Sequence, residues 1–402
     1  MNPLRILFIS PYIPSLIRVR PYNFIQHLAR RGNRITLLAL IPPGEDTGSL
    51  DTLREWCREV KTVPLPRWQT LKNGLQAIPD RTPLQAAYSR SNAMATLIRQ
   101  TQVESTFDVV HIEHLRGAEL SPAVNGLPIV FDSVDSITLL FDWVGRSGPT
   151  WRSRLLARLD IARTRRYEGQ LLKHYSRVLI TSPKDKQALA QLSTAPDADK
   201  RLVVLPNGVD LDYFKPLDVP REPSTVIFTG KMSYHANIAA ALDLAQQVMP
   251  LVWQQHPQAK LVLAGKDPTP ELTALTADSR ITVTGTVPDL RPYLAQATVA
   301  VSPMRYGVGI QNKILEAMAM ATPVITTSQT LAALQTQVDH DILVGDKPEA
   351  IAQEVNKLLT NDLLCQKLGQ AGRRYVETHH DWNVVVERLE DIYREVMNTE
   401  KT

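Results

Sequence analysis

A predicted helix in Ser302–Thr327 (SPMRYGVGIQNKILEAMAMATPVITT) has glycines before its start and a lysine and a glutamate in its first turns. Gly307 and Gly309 precede this helix, so free backbone N–H groups and the positive end of the helix dipole would meet at the turn, which suits a phosphate or a sugar hydroxyl. Lys313 adds positive charge. Glu316 has apolar neighbours, where a carboxylate needs a partner such as two ribose hydroxyls; an ordinary helix-start glutamate is the alternative.

A second group of polar residues stands at the end of a predicted buried strand in DVVHIEHLRG. Strand alternation directs His111 and Glu113 to one face and His114 to the other. For His111, a hydrogen-bonded structural role is an equal alternative to a functional one. Asp132 and Asp135 follow another strand in FDSVDSITLLF, where they could contact a substrate or cap the next helix. We predict capping for one of them.

Short apolar runs alternate with longer helix-like segments, and near-continuous apolar strands are typical of a parallel sheet covered on both faces. In the first unit, Phe24, Ile25 and Leu28 recur at helical spacing between two such strands, and Gly32 is the predicted helix stop. This pattern predicts an α/β protein of two doubly wound domains with ligands at the carboxyl ends of the strands. The candidate strands are LRILFIS, RITLLAL, DVVHIEH, LPIVFDS and RVLITSP in the first half, and RLVVLPN, STVIFTG, AKLVLAG, ITVTG, ATVAVSP and TPVITT in the second.

Composition is typical of a two-domain globular enzyme. The chain has 402 residues, of which 44% are hydrophobic, so it is too long for one ordinary domain and too apolar for disorder. A net charge of +4 is too small to indicate a nucleic-acid-binding protein. Cys57 and Cys365 fit unpaired thiols in a reducing compartment. Because neither a spanning segment nor a charged leader precedes LRILFIS, we expect a cytoplasmic protein.

The excess positive charge lies in Trp151–Gln170, where arginines outnumber the two acids, Asp160 and Glu168. Charge on two faces of a helix is less typical of a membrane-surface helix than charge on one face. We hypothesise that one arginine group borders a substrate or an anionic surface, so weak peripheral contact with the inner membrane face stays open. On a wheel stepped by about 100° per residue, the two opposite groups are Arg152, Arg163 and Arg166, and Arg154, Arg158 and Arg165.

Ser302–Thr327 resembles the signature of the family 4 retaining glycosyltransferases of the GT-B fold (group 1), in which Glu-x7-Glu is followed by Ala-Met-Ala-x-Gly-x-Pro-Val. The N-terminal ILFISPYIPS and RRGNRITLLAL fit the opening unit of that family. Three further segments are similar to it in the same order. They are LPNGVD, which resembles the interdomain segment, FTGKMSYHANIAAALDLA, which resembles the donor-phosphate loop, and DWNVVVERLEDIY, which resembles the closing helix.

The resemblance implies a GT-B fold, in which two Rossmann-like doubly wound domains face a cleft. An N-terminal acceptor-side domain would span residues 1–205, and a C-terminal nucleotide-sugar-binding domain would span 206–380. The last segment, 381–402, would form a helix that returns to the N-terminal domain.

The resemblance also implies roles for individual residues. Glu316 would hold the donor ribose, and Lys231, which follows Gly230, would contact the donor diphosphate. His114 is the favoured match to a functional histidine beside the transferred sugar, and Glu113, one residue away, is the second candidate. The catalytic candidates are therefore His114, Glu113 and Lys231, and the remaining donor-binding candidates are Gly230, Gly309, Ile310, Gln311 and Lys313.

Three features depart from the family pattern. The first glutamate of Glu-x7-Glu would fall at Val308. The second basic residue of the phosphate loop, expected six positions after Lys231, is Asn237, which removes one positive charge from the diphosphate site. The glycine-rich turn after the first strand is replaced by SLIRVRP. Candidates for the missing charge are Lys313, Arg18 and Arg20, and Asp135 is a further candidate for acceptor contact.

The activity that the resemblance implies is retaining transfer of a hexose from a nucleotide-diphospho-sugar to a hydroxyl of a glycan or lipid-linked acceptor in polysaccharide biosynthesis. UDP-glucose is the first candidate donor and GDP-mannose the second. We expect no cofactor and no metal, because the nucleotide-sugar is a substrate and basic side chains with a helix N-terminus can neutralise its diphosphate. The alternatives are a UDP-sugar 2-epimerase on the same fold and a non-catalytic sugar-nucleotide-binding partner in a polysaccharide assembly complex.

Overall fold

The computed structural model describes residues 2–147, 151–304 and 310–399. The backbone divides into two compact units, one of Met1–Pro206 with Val385–Thr402 and the other of Asn207–Val384. Val308 and Gly309, which were singled out in the sequence, lie outside the described residues, as does Gly307. Among the helices described, none is long and apolar enough to cross a membrane.

The first unit contains a parallel sheet whose described strands run in the order β3-β2-β1-β4-β5-β6-β7. The inner strands are buried on both faces, as their apolar sequences predicted. Residues 202–204, which the sequence pattern assigned to the second half of the chain, instead pair with β6 in this sheet. The strands are β1 (Arg5–Ser10), β2 (Arg34–Ile41), β3 (Glu59–Pro64), β4 (Val109–Glu113), β5 (Ile129–Val134), β6 (Arg177–Ile180) and β7 (Leu202–Val204).

Helices cover this sheet, and α1 shows how the sequence forms them. Its apolar residues Phe24, Ile25 and Leu28 are buried, the helix ends at Arg30, and Gly32 adopts the left-handed conformation with φ of +87° that was predicted for its stop. The helices are α1 (Val19–Arg30), α2 (Leu50–Trp56), α3 (Arg67–Asp80), α4 (Leu84–Tyr88), α5 (Asn92–Glu104), α6 (His114–Gly117), α7 (Ile137–Ser147), α8 (Trp151–Glu168), α9 (Leu171–His174), α10 (Pro183–Leu192) and α11 (Ala198–Arg201). A 3-10 helix spans Ala118–Ala123.

The second unit repeats the design with a parallel sheet whose described strands run in the order β10-β9-β8-β11-β12-β13. The strands are β8 (Thr225–Thr229), β9 (Lys260–Ala264), β10 (Ile281–Val283), β11 (Val299–Ser302), β12 (Val324–Thr326) and β13 (Leu343–Val344). The helices are α12 (His235–Asp243), α13 (Met249–Gln255), α14 (Pro270–Ala274), α15 (Arg291–Gln296), α16 (Asn312–Ala319), α17 (Ser328–Leu331), α18 (Pro348–Leu359) and α19 (Asp362–His379). A π-helical turn spans Leu244–Val248, and a 3-10 turn spans Leu275–Ala277.

The last helix, α20 (Trp382–Thr399), belongs to both units. Its first residue, Trp382, is buried in the second unit, where its ring lies so close to Gly208 that a Cβ there would fall 2.5 Å from it. From Val385 onward the helix groups with the first unit. There Glu390 accepts a hydrogen bond from Asn33, in the turn between α1 and β2. The C-terminus of the chain therefore completes the N-terminal unit.

Both sheets reverse their strand order at one point. In the first unit the chain leaves β1 toward β2 on one side, while β4 lies on the other side of β1; in the second unit β8 is flanked by β9 and β11 in the same way. The crevice beyond the carboxyl ends at such a switch point is where open parallel sheets bind their ligands. These two places, after β1 and β4 and after β8 and β11, position the candidate residues.

Candidate active site

Lys313 lies at the switch point of the second sheet. It is the second residue of α16, which follows β11, and its ammonium group donates a hydrogen bond of 2.6 Å to Oδ1 of Asn237 in the first turn of α12. It also lies 4.6 Å from the ring centroid of Phe228, on β8. An amine from a different helix therefore lies at hydrogen-bond distance from Asn237, where the family pattern has a basic residue.

The turn after β8 depends on two glycines that approach this amine and each other. A Cβ on Gly230 would lie 2.7 Å from Nδ2 of Asn237 and 3.3 Å from Nζ of Lys313. A Cβ on Gly265, after β9, would fall 1.8 Å from the carbonyl oxygen of Gly230. Both have φ near +150°, which L side chains rarely adopt. Only glycine at both positions lets the turn fit against Asn237 and Lys313.

Burial shifts the two ionisable groups of α16 in opposite senses. Desolvation lowers the pKa of Lys313 to about 8, and Glu316 opposes that shift. Desolvation raises the pKa of Glu316 to about 7, and the positive charge of Lys313 opposes that shift. Both side chains are half-buried, and their neighbours on the helix are apolar, so the pair carries titrating charge in partly apolar surroundings. Perturbed pKa values of this kind are typical of functional sites.

The remaining donor-side candidates differ in exposure. The ammonium of Lys231 is exposed, 3.9 Å from the carboxylate of Asp267, and the carbonyl of Lys231 accepts a hydrogen bond of 2.9 Å from Asn237. Gln311 is half-buried at the N-cap of α16, whereas the side chain of Ile310 is buried in the core. Gly309 cannot be placed, because it lies outside the described residues.

In the first unit, His111 and Glu113 belong to a buried polar network rather than to an accessible surface. Nδ1 of His111 is 2.8 Å from the hydroxyl of Tyr393 on α20, and its Nε2 is 3.5 Å from Glu113. Tyr12 donates a hydrogen bond of 3.1 Å to the Glu113 carboxylate, whose pKa is raised by burial and then by the charge of Asp132. Glu113 is only 1% exposed, so the structure argues against it as the residue that contacts substrate.

His114 has the properties that Glu113 lacks. It is half-buried, and its φ of +62° is a strained conformation for a residue with a Cβ. Desolvation, followed by the charges of Arg116 and Arg18, lowers the pKa of His114 to about 3, so the ring is neutral. Nδ1 accepts a hydrogen bond from the backbone N–H of Arg116, which leaves the proton on Nε2. A neutral donor held in a strained backbone fits a contact to a sugar hydroxyl.

The two arginines of SLIRVRP have different environments. Arg18 is exposed and lies over the ring of Tyr12, 4.4 Å from its centroid. Arg20 is buried, and its Nε forms an ion pair of 2.7 Å with Asp132. A buried cation paired with a buried carboxylate is not available to a phosphate. Of the two candidates for the missing charge in this segment, Arg18 alone faces solvent.

Asp132, within β5, and Asp135, just after it, do not cap the following helix, although the sequence predicted capping for one of them. Asp132 pairs with Arg20, and Asp135 accepts a hydrogen bond of 2.9 Å from the hydroxyl of Thr181. Glu168, at the end of α8, caps α7 instead by accepting from the N–H of Ile137 at 2.7 Å. Burial raises the pKa of Asp135 to about 6, with a further contribution from Asp185. Asp135 is half-buried at the carboxyl edge of the sheet.

One group of side chains among the described residues has metal-ligand geometry. The ligand atoms of His111, Glu113 and Asp132 all lie within 4.8 Å of one another. However, the group is closed off from solvent, and Arg20 already neutralises Asp132. Its fully buried position and its arginine favour a structural network over a metal centre.

Two contacts could not be predicted from the sequence. Phe228, which lies under the Lys313 ammonium, fits a strand pattern only, and Tyr393 fits the pattern of the closing helix only. The Tyr393 contact joins residues 282 positions apart, for which no local pattern exists. The order of strands, which brings β8 beside β11, is the signal that would have placed Phe228 near Lys313.

Comparison with known proteins shows the family of the chain. Residues 223–361 match the family described as "Glycosyl transferases group 1", and residues 18–213 match "Glycosyltransferase Family 4". The two matches fall one on each structural unit and together cover most of the chain. The chain belongs to the group 1, family 4 glycosyltransferases. Its two Rossmann-like parallel sheets give it the GT-B fold of this family.

Individual relatives of this glycosyltransferase are distant. A GDP-mannose:cellobiosyl-diphosphopolyprenol alpha-mannosyltransferase of Xanthomonas oryzae pv. oryzae (strain PXO99A) is 26% identical over 238 residues, covering 56% of this chain and 59% of the relative. The chain therefore matches less than two thirds of that relative's length. Anabaena Alr3699/HepE in complex with UDP is 14% identical with a TM-score of 0.69, covering 98% of this chain and 100% of that one. A glycosyltransferase from Rickettsia africae is 15% identical with a TM-score of 0.67, covering 99% of both chains.

Proposed function

We propose that the protein is a retaining hexosyltransferase that takes a hexose from a nucleotide-diphospho-sugar and places it on a hydroxyl of a glycan or lipid-linked acceptor. The donor binds the second unit at the switch point after β8 and β11, and the acceptor binds the first unit after β1 and β4. The observation that carries this proposal is the position of Lys313, whose ammonium lies against Gly230 and Asn237 of the phosphate loop and on the same helix as Glu316.

The donor-side residues have separate roles in this proposal. Lys231 and Lys313 place two cations at one turn, where they oppose the charge that develops on the departing diphosphate. Glu316, one helical turn from Lys313, accepts hydrogen bonds from the ribose hydroxyls. In the transfer, the bond from the anomeric carbon to phosphate oxygen breaks while the acceptor oxygen bonds to the same face of that carbon. The acceptor's proton leaves with the diphosphate, so neither a metal nor a cofactor is required for charge balance.

The acceptor-side residues hold the reacting groups in position and do not supply charge to the donor. Neutral His114 donates through Nε2 to a hydroxyl of the transferred sugar or of the acceptor. Arg18, exposed beside Tyr12, contacts an anionic group of the acceptor. Asp135, at the end of the neighbouring strand, is the candidate for accepting a hydrogen bond from a hydroxyl of the acceptor substrate. Positioning of this kind supplies much of the rate of a transfer reaction by holding the reacting groups together.

We take UDP-glucose as the first donor to test and GDP-mannose as the second. The structurally similar Anabaena protein is described in complexes with UDP and with UDP-glucose, and the Xanthomonas relative is named for GDP-mannose. A role in polysaccharide biosynthesis is in keeping with the Xanthomonas relative and with a capsular polysaccharide biosynthesis glycosyltransferase of Staphylococcus aureus, which is 34% identical over 88 residues, covering 21% of this chain and 23% of that protein.

The proposed activity is tested with each nucleotide-sugar in the presence and absence of membrane-extracted glycolipid acceptors, read by NMR of the product. We expect an acceptor-dependent product with the anomeric configuration of the donor. Glu316→Ala should lower the rate by about 10- to 100-fold, the loss typical of hydrogen bonds to a charged group. Glu349→Ala, an exposed carboxylate on α18, is the matched control and should retain full rate.

Other outcomes of this experiment contradict the proposal. A new sugar-nucleotide formed without acceptor would identify an epimerase. Nucleotide-sugar binding with no turnover on any acceptor or water would identify a non-catalytic binding partner. An inverted product would contradict retention alone, while leaving transfer in place.

A further inference from the structure

The helix α3 presents its apolar side chains to solvent. Trp68, Leu71 and Leu75 recur at the spacing of one helix face and are 65%, 70% and 70% exposed. Ile78 continues the same row and is also exposed. In a helix that packs on a core, such a row faces inward.

The inner face of α3 carries two amide side chains that bind the backbone, beside the buried Ala77. Gln69 and Asn73 point inward, and their amide groups donate hydrogen bonds of 3.0 Å and 2.9 Å to the backbone carbonyl of Arg90. The helix is therefore attached to the first unit through its polar residues. Its outward apolar row is then a stable feature of the fold rather than a misplaced core face.

The helix α8 has the same inverted arrangement. Its buried residues include Asp160 and Glu168, which accept hydrogen bonds from the backbone N–H groups of Leu84 at 2.9 Å and Ile137 at 2.7 Å. Both acids of α8 are thus turned inward. The large apolar residues of its first half are all exposed; they are Trp151, Leu155, Leu156 and Leu159.

The helical-wheel positions of these apolar residues show where they lie relative to the arginines of α8. With Arg152 at zero and about 100° per residue, Trp151, Leu155 and Leu159 fall at about 260–340°. Arg154, Arg158 and Arg165 border this arc at about 200–240°, Arg166 falls within it at about 320°, and Arg152 and Arg163 border its other side at about 0–20°. The exposed side of α8 therefore has an apolar centre flanked by arginines and carries no carboxylate of α8 itself, while Asp142 of α7 pairs with Arg165 at 2.7 Å.

The two inverted helices meet at the end of α3. There Nη2 of Arg163 donates a hydrogen bond of 3.3 Å to the carbonyl of Ile78. We use the term apolar–arginine surface for the exposed apolar residues of both helices together with the α8 arginines. Its apolar members are Trp68, Leu71, Leu75, Ile78, Trp151, Leu155, Leu156 and Leu159.

We propose that the apolar–arginine surface binds the anionic surface of a lipid bilayer. Tryptophan and leucine at the centre would enter the boundary between headgroups and acyl chains, and the flanking arginines would contact lipid phosphates. A second copy of this chain fits poorly, because a two-fold contact would place the arginine borders of the two copies against each other. This inference concerns the first unit and does not depend on the donor site.

Vesicle flotation tests the proposal directly. The full-length protein is mixed with vesicles of phosphatidylglycerol and phosphatidylcholine in equal parts, or of phosphatidylcholine alone, at low and high salt. We expect binding to the anionic vesicles, weaker binding at high salt, and a blue shift of tryptophan fluorescence that Trp68→Phe or Trp151→Phe reduces.

Paired variants assign the binding to this surface. Leu71→Ser/Leu75→Ser on α3 and Leu155→Ser/Leu159→Ser on α8 should each weaken vesicle binding about tenfold or more, since each removes two inserted side chains. The control is Val103→Ser/Leu363→Ser, which replaces two exposed apolar residues elsewhere and should bind normally. Because all six positions are exposed, thermal unfolding should show that the variants remain folded.

Three results would overturn the proposal. The wild-type protein could fail to float with anionic vesicles at low salt. The wild-type protein could bind these vesicles while both leucine-pair variants bind them as tightly as the control variant does. Or light scattering could show a dimer that the leucine variants dissociate, with no vesicle binding, which would assign the surface to a second copy.

Discussion

At the scale of residues, the proposed donor site draws its charge from a lysine on a different helix from the one that the family pattern uses. Asn237 stands where the family pattern has a basic residue, and Lys313 brings an ammonium to its side-chain oxygen. A lysine at this point is more tunable than an arginine, because burial lowers its pKa toward the physiological range. The site should therefore respond to pH through Lys313.

The affinity for the donor nucleotide should fall as the pH rises from 7 to 9. The diphosphate binds the protonated form of Lys313, whose pKa in the free protein is about 8, so deprotonation weakens binding by about tenfold at most over this range. Lys313→Arg stays charged and should show a flat profile. Calorimetric titration at several pH values measures the nucleotide affinity of both proteins. An equal decline of affinity in the wild type and in Lys313→Arg would show that another group is responsible.

The strain at His114 gives a prediction that separates folding from function. Alanine and glycine remove the same imidazole, but only glycine relieves the φ of +62°. We therefore expect His114→Gly to be more stable than His114→Ala by about 1 kcal/mol in urea unfolding. Both variants should lose transfer activity while they keep nucleotide affinity. Equal stability would mean that the backbone relaxes on substitution, and full activity would remove His114 from the site.

At the scale of elements, the sequence predicted the strands with continuous apolar runs and missed those without them. β3 was not predicted because EVKTVP mixes charged and apolar residues at a sheet edge, and β13 has only two residues. The helix with Lys313 and Glu316 was predicted well, since their spacing and apolar neighbours are local. The contact between Lys313 and Asn237 could not be predicted from either helix, because it depends on β11 lying beside β8.

Element-scale patterns also left open which face of an inverted helix is buried. The wheel of α8 was interpreted from its arginines alone, and their two-sided distribution argued against a membrane contact. The structure shows that two polar side chains, Asp160 and Glu168, take the buried face, so the leucines between the arginines remain exposed. Burial of acids as helix caps cannot be deduced from the period of the sequence.

The closing helix α20 should contribute to the stability of the first unit through one hydroxyl. Tyr393→Phe removes the partner of Nδ1 of His111 and leaves that buried atom unsatisfied, at a cost of about 1–3 kcal/mol. Tyr213→Phe, which removes an exposed hydrogen bond to Asp289, is the control and should change the unfolding free energy little. Urea unfolding monitored on both variants checks this, and equal effects would contradict a stabilising role for the Tyr393–His111 bond.

At the scale of the whole molecule, two sheets of the same topology each offer a switch point, and the polar candidates fall at those two points. Lys313 and Glu316 follow β11, while His114 follows β4 and is strained. In the proposed function, the charge that acts on the donor is local to one turn of the second unit, whereas the largest arginine cluster lies on the first unit. The net charge of +4 would therefore be a poor guide to function.

The central claim is that Lys313 supplies the diphosphate charge that Asn237 lacks. Calorimetric titration of UDP and GDP into wild-type protein, Lys313→Ala and Lys313→Ala/Asn237→Lys tests it most directly. We predict that one nucleotide binds the wild type, that Lys313→Ala weakens binding at least about tenfold, in line with the loss of one charge-assisted hydrogen bond, and that the added lysine restores it. Binding of neither nucleotide, or unchanged affinity in Lys313→Ala, would contradict the account.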